Sequence, residues 1–365
     1  MEKSALKLTR KIQLLVDLPT KEERKEALDT LYRWQNRCYR AANLIVTHLY
    51  VQEMLQEFFY LTEGVQYKLV DEKKDANGML QRSRINTTYR VVSNRFKGEM
   101  PTNILSTLNK TLISTFNKDR QAYRRGECSL MNFRRDMAFP FSKELVSGLH
   151  YNAEKKAFCF GLFQIPFRTY LGKDFTDKKK LLEQVIAGDT KLCTSHIQLK
   201  GGKIFWLPVF EVQKESHHLR PEVIAEASLS LEYPLVVKAG KAKLTIGNKE
   251  EFLYRRLAIQ AARKRAQAGA TYCKAGKGTK RKLKAMDSFR DKENHYVRHR
   301  IHVYSKRLLD FCIQHQAGTL VLVNQEDKMG IAQAEQFVLR NWSYYDLMTK
   351  IKYKAEKVGV EVVVG

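Results

Sequence analysis

The hydrophobic period of this chain changes twice along its length, and that change limits the fold more than any other feature. From Thr20 the apolar residues recur at three and four: Leu28, Leu31, Trp34, Cys38, Ala41, Leu44, Ile45, His48 and Leu49 form one stripe. This predicts a single long helix reaching about Phe59. Thr20 with Glu23 has capping-box spacing and marks its start. Residues 63–77 are polar and read as a loop, and two further helical stretches follow near 80–96 and 102–125, the second ending in Arg120, Arg124 and Arg125. From Ala138 the period falls to two. Lys200, Gly201, Gly202 and Lys203 separate two alternating runs, which predicts a β-hairpin. The segment 4–18 also alternates and predicts one strand. After Pro221 the order is a strand over 225–239, a turn, a strand over 242–247, a long basic helical segment, a strand over 319–324, a helix and a strand over 360–364. Helices between strands predict a mixed or partly parallel sheet.

With 44% hydrophobic residues over 365 positions the chain can bury a core and should hold two or three domains. Lys and Arg number 65 against 39 Asp and Glu, a formal charge of +26. Such an excess argues against an ordinary small-metabolite enzyme and points to a polyanionic partner. A membrane is the poorer choice, since no stretch approaches the roughly 18 apolar residues of a spanning helix. The start of the chain carries no signal-peptide pattern either, so a cytoplasmic, nucleoid-associated location is expected. Six cysteines lie far apart with no CxxC pair, so neither a zinc ribbon nor a disulfide framework is encoded.

The charge is concentrated. Residues 249–310 hold 18 Lys+Arg and 6 Asp+Glu, so 18 − 6 = +12 falls within this one segment. The candidate nucleic-acid-binding residues are Arg255, Arg256, Arg263, Lys264 and Arg265, then Lys274, Lys277, Lys280, Arg281, Lys282 and Lys284, and further on Arg290, Arg298 and Arg300. A helix with a merely solvated face would mix Glu with Lys at i,i+4, and the two main blocks hardly do. The glycines between the blocks do not make a phosphate loop, because Lys274 and Gly278 break the GxxxxGK[ST] spacing. His295, His299 and His302 share a helical face, but with Arg298 and Arg300 beside them and no nearby carboxylate or thiol they predict a nucleic-acid-facing or packed surface, not a metal site. His217 and His218, in a polar linker, are weaker still as ligands.

The runs RRLAIQAARKRA, KRKLKAMDSFRDKENHYVRHRIHVYSKRLLDFC, QAGTLVLVNQED and NWSYYDLMTKIKYKAEKVGVEVVV together resemble the RuvC-type nuclease core of the TnpB proteins and of their relatives, the compact type V-F CRISPR effectors. The resemblance covers roughly Ile224 to Gly365, and the helical and β regions before it match the family's layout by arrangement. It implies a multidomain α/β fold. A wedge-like β-barrel would take 1–19 and 136–215, a helical recognition lobe 20–135, and a C-terminal RNase H-like (RuvC-type) domain 216–365, truncated before the zinc-binding segment.

The same resemblance implies lost chemistry. RuvC-like cleavage uses three carboxylates to hold two divalent ions. Where the family's first strand carries Asp, this sequence has Ser228, and where the second motif carries Glu, it has Val323. The third family carboxylate lies beyond the strand matching VEVVV. Glu226, Glu232 and Asp327 are the neighbouring acids, the last two displaced from the lost positions. The expectation is therefore a protein that is not an enzyme: a nuclease-dead, RNA-guided DNA-binding protein with no metal or small cofactor, only a guide RNA. The implied partners are the guide RNA, double-stranded DNA with a short flanking motif, a sigma factor with RNA polymerase, and a second copy on one guide. Recruitment of the transcription machinery is the expected output. Repression by promoter occupancy and a fragment of an active nuclease are the alternatives.

Overall fold

The computed structural model describes residues 5–61, 84–173, 177–214, 217–228, 233–272, 279–323 and 344–364. The chain forms two compact units, Lys7–Val212 and, in the main, Gln213–Gly365.

In the first unit the long apolar stripe becomes α1 (Lys21–Leu61). Its start is capped as the spacing requires. The Glu23 N–H donates to Thr20 Oγ1 and the Thr20 N–H to Glu23 Oε2, both at 3.2 Å. These bonds favour the ionised carboxylate and hold the Glu23 pKa below its ordinary value. Leu31, Cys38, Ala41, Ile45 and Leu49 are buried along one face of α1, and helices α2 (Arg84–Phe96) and α3 (Thr102–Arg124) pack with it, burying Ile104, Leu105, Leu108 and Phe116.

The β region of this unit contains β1 (Ala5–Thr9), β2 (Ile12–Val16), β3 (Phe139–Phe141), β4 (Ser147–Asn152), β5 (Ala157–Leu162), β6 (Ile165–Tyr170), β7 (Lys191–Lys200) and β8 (Lys203–Gln213), with helix α4 (Lys178–Ala187) before β7. The sheet runs β3-β7-β8-β2-β6-β5-β4, with β1 added on β8. It is curled into a half-barrel, with β3 and β4 at the two ends of the path among the described residues. The β7–β8 hairpin is the one expected. Lys200 pairs with Lys203, and Gly201 and Gly202 between them have φ of 60° and 73°, the left-handed region a two-residue hairpin turn demands. The single strand expected over 4–18 is two strands. They part at Arg10, whose guanidinium is held by both carboxylate oxygens of Asp177 at 2.9 and 3.0 Å. Trp206, Phe139, Phe141, Phe158, Phe167 and Phe210 are fully buried, and they share one core with the helices. The expected loop over 63–77 lies outside the described residues.

The second unit holds a five-stranded sheet with β9 (Arg220–Ser228), β10 (Leu235–Ala239), β11 (Ala242–Ile246), β12 (Ala317–Leu322) and β13 (Glu361–Val364), in the order β11-β10-β9-β12-β13. Strand β10 is antiparallel to β9 and β11, while β12 runs parallel to β9 and β13. Numbered within the sheet, this is 3-2-1-4-5 with only the second strand reversed, a mixed sheet as expected. The single strand expected over 225–239 is a hairpin instead: Val236 pairs back with Ser228. Gly318 allows β12 to meet the start of β9, because a Cβ there would stand 2.7 Å from the Arg220 carbonyl oxygen. Helices α5 (Lys249–Thr271), α6 (Thr279–Gln314) and α7 (Tyr344–Val358) complete the unit. Their apolar residues Val297, Ile301, Leu308, Leu347 and Ile351 join Ala225, Ala227, Val237, Leu320 and Leu322 in its core.

Candidate nucleic-acid interface

Asn248 caps α5, its side-chain oxygen accepting the Glu250 N–H at 2.7 Å, and Glu250 and Glu251 sit in the first turn where the helix dipole favours anions. The basic block therefore lies further along, away from that negative start. The α5–α6 pair is held by charge as well as by apolar contact. Arg256 Nε is 2.8 Å from Glu293 Oε1, Gln260 donates to the same oxygen at 3.0 Å, and Glu293 is 8% exposed. Burial alone would raise its pKa, but the Gln260 and Arg256 bonds outweigh it and leave the carboxyl below the usual range. Arg300 is similarly engaged by Glu251, and the guanidinium groups of Arg255 and Arg300 each lie 5.4 Å from the centre of the Tyr296 ring.

The candidate residues thus divide. Arg256 and Arg300 have protein partners that brace α5 on α6. Arg255, Lys264, Arg265, Lys284, Arg290 and Arg298 are exposed, and Arg263 is half-buried. Arg290 is shared with the exposed Asp287 at 3.3 Å. Lys280, Arg281 and Lys282 lie in the first turn of α6, and Lys274 and Lys277 fall outside the described residues.

Sequence reasoning missed a second group of cations, spread over two elements. Lys354 on α7 donates to the His302 carbonyl oxygen at 2.7 Å. Burial first, then Lys350 and Lys306, push the Lys354 pKa down to about 8, against the opposing pull of Asp310. Burial also lowers His302, with Lys350, Lys354 and His299 adding to it. Nothing in the periodicity of either helix signals this meeting. His295, His299 and His302 are all exposed, and among the described residues no three His, Cys, Asp or Glu side chains form a group that could hold a metal ion.

Ser228 ends β9 and Val323 directly follows β12. The register pairs Ala227 with Leu322, and the Val323 N–H donates to the Ala227 carbonyl at 3.0 Å, so positions 228 and 323 end two adjacent parallel strands. Alternation puts Ser228 on the face opposite the buried Ala225 and Ala227, together with Glu226. Val323 is 39% exposed. Glu226 pairs across the sheet with Lys238, and Glu232 and Asp327 lie outside the described residues. One hydroxyl, one isopropyl group and one carboxylate facing a lysine are a poor donor set for the hard divalent ions of RuvC-like chemistry, which need several anionic oxygens. Among the described residues, this donor set does not fit such a pair of ions.

The exposed block makes a direct prediction. Each phosphate contact contributes about −0.9 to the log–log salt dependence of duplex DNA binding. Replacing Arg263, Lys264 and Arg265 together with Ala is expected to flatten the measured slope by about two to three and to weaken binding irrespective of sequence. An unchanged slope would mean that the block is only a solvated face.

No helix of the described residues is long and apolar enough to cross a membrane. No protein-family model matches the sequence. The chain is 24% identical over 280 residues to a CRISPR-associated endodeoxyribonuclease Cas12f1 from Sulfoacidibacillus thermotolerans, an alignment covering 71% of this chain and 64% of the relative. It is 38% identical over 89 residues to the protein of the same name from Syntrophomonas palmitatica, covering 24% and 17%, and 26% identical over 200 residues to one from an uncultured archaeon, covering 50% and 36%. The chain thus spans less than two thirds of the length of these curated relatives. Among solved structures, a Cas12f1 protein in complex with sgRNA and target DNA superposes with a TM-score of 0.71 at 15% identity, covering 99% of this chain and 89% of that one, which shows a shared fold. Sequence likeness and shared fold together make the chain similar to the compact type V-F CRISPR effectors.

Proposed function

We infer that this chain is an RNA-guided DNA-binding protein that does not cut DNA, and that it acts in transcription control. The observation that carries the reading is the adjacency of Ser228 and Val323. The 3-2-1-4-5 sheet brings the ends of its first and fourth strands together, where an RNase H-like nuclease would place two metal-binding carboxylates, and here neither side chain is a carboxylate. The exposed cations of α5 and α6 supply the complementary property, a surface for phosphates with no chemistry attached. In such a system the guide reads the sequence by base pairing, and the protein holds backbone and shape.

The partners that follow are a guide RNA, serving as a macromolecular cofactor, and duplex DNA with a short flanking motif. A second copy on the same guide is part of the same reading. A protein that binds a programmed site without cutting acts by occupancy or by bringing another protein. We favour recruitment of a sigma factor and RNA polymerase. The names of the relatives favour a second reading, a fragment of an active nuclease, which the cleavage assay discussed below separates.

Sequencing the RNA that co-purifies with the protein supplies the guide. With that guide, a target is moved in single-base steps across a promoterless reporter, with and without candidate sigma factors. Recruitment predicts activation at one narrow spacing and only with the partner, because tethering raises its local concentration. Silencing over a core promoter with no activation at any spacing would leave repression by occupancy.

A further inference from the structure

The outward face of α5 carries a feature that phosphate binding does not explain. Tyr254 is 78% exposed and Tyr272 84%, the two most exposed large apolar side chains among the described residues. They are 272 − 254 = 18 residues apart, five turns at about 3.6 residues per turn, so both fall on the same side of the helix. Tyr272 follows the last helical residue but keeps helical dihedrals, φ −76° and ψ −3°, so this alignment extends to it. At ~1.5 Å per residue the rings stand about 27 Å apart along the axis.

Between them the same face presents Leu257, 42% exposed, and the exposed Ala258, Ala261 and Ala268, with Arg265 in the middle and Lys264 at the border. Neither tyrosine ring makes a ring contact or hydrogen bond among the described residues. The contrast with Phe252 on the inward face is direct, since that ring stacks on Tyr296 at 5.8 Å.

Two solvent-facing rings flanking cations on a smooth, small-residue surface are the elements of a stacking platform for a nucleic-acid strand. Every base has a π-face, so an aromatic side chain can take one without reading its identity, while Arg and Lys between the rings follow the phosphates. A duplex offers no such faces along its length, because its bases already stack on one another. The charge of the surrounding block excludes a basic partner and suits an anionic one. We propose that the outward face of α5 binds a single polynucleotide strand by stacking bases on Tyr254 and Tyr272, several nucleotides apart, with Arg265 and Lys264 on the intervening phosphates. This rests on the nucleic-acid-binding reading above and specifies the strand state it takes.

The test uses the full chain with fluorescent oligothymidine, oligouridine, an abasic strand of equal length and a DNA duplex, each titrated over a range of salt. Replacing both tyrosines with Ala is expected to lower single-strand affinity about five-fold or more per ring, since stacking is of order 1–3 kcal/mol per base. The salt slope and the duplex affinity should stay unchanged, and the parent should bind the abasic strand as weakly as the variant does. Tyr→Phe at both positions keeps the rings and is expected to restore affinity, whereas Tyr→Leu keeps apolar area and is not. Equal losses on duplex and single strand, no loss on either, or a change in oligomeric state with unchanged single-strand affinity would each overturn the proposal. A parent that binds no polynucleotide at all would overturn the nucleic-acid reading itself. Thymidine against uridine then tells a DNA strand from an RNA strand.

Discussion

Supplied with the RNA that co-purifies with it, Mg²⁺ or Mn²⁺, and either duplex or single-stranded DNA complementary to that RNA, the protein is expected to leave the DNA intact. Metal-assisted cleavage needs carboxylates that bring two cations within reach of one phosphodiester, and stabilising the attacking and leaving oxygens accounts for several kcal/mol of transition-state energy. At the ends of β9 and β12 the residues are Ser228 and Val323, with Glu226 opposite Lys238 in the register. The expected rate is that of a contaminant control. The geometric part of the argument has its own readout. Because 228 and 323 end adjacent parallel strands, the double variant Ser228→Asp/Val323→Glu should bind Mn²⁺ measurably more tightly than the parent, by calorimetry or paramagnetic broadening. Guide-dependent turnover by the parent would sink the reading and leave an active nuclease. Equal Mn²⁺ affinity in both forms would show that the two positions do not converge on one ion.

Removing Arg120 and Arg124 together is expected to destabilise the first unit by about 3–5 kcal/mol, the usual cost of stranding a buried charge. The two guanidinium groups lie on α3 and both reach Glu53 on α1, Arg120 at 2.7 Å, while the Glu53 side chain is only 1% exposed. The arginines keep 37% and 39% exposure, so they can be rehydrated when the carboxylate is lost, whereas the carboxylate cannot when they are lost. The asymmetry makes the test. Arg120→Ala/Arg124→Ala should shift the denaturation midpoint far more than Glu53→Gln does, and adding Glu53→Gln to the double variant should recover much of the loss. A double variant within about 1 kcal/mol of the parent, the range of solvated pairs, would mean that water reaches Glu53.

That cluster also marks a limit of sequence reading. In the sequence Arg120, Arg124 and Arg125 are a basic helix end suited to a polyanion, and nothing local tells the first two from the third. Folding across separations of 67 and 71 residues gives Arg120 and Arg124 a buried partner, while Arg125, among the described residues, meets the exposed Glu127 at 3.6 Å. The same holds on α5, where Arg256 and Arg265 look alike in sequence but only Arg256 is claimed by Glu293.

Local rules determined a good deal of this protein by themselves. The three-and-four spacing fixed α1 and its buried face, Thr20 and Glu23 set its start, and the paired glycines placed the β7–β8 hairpin. Strands alternating with long helices determined that the last sheet would be mixed. These signals are legible because they depend on residues within one or two turns of each other, whose geometry the backbone imposes. The tertiary structure alone decided that 4–18 and 225–239 would each break in two, and that Lys354 would meet the His302 backbone. It alone also left Tyr254 and Tyr272 uncovered. The reason is that pairing and burial depend on what lies opposite a residue, and a period along the chain carries no information about the segment that will come to rest against it.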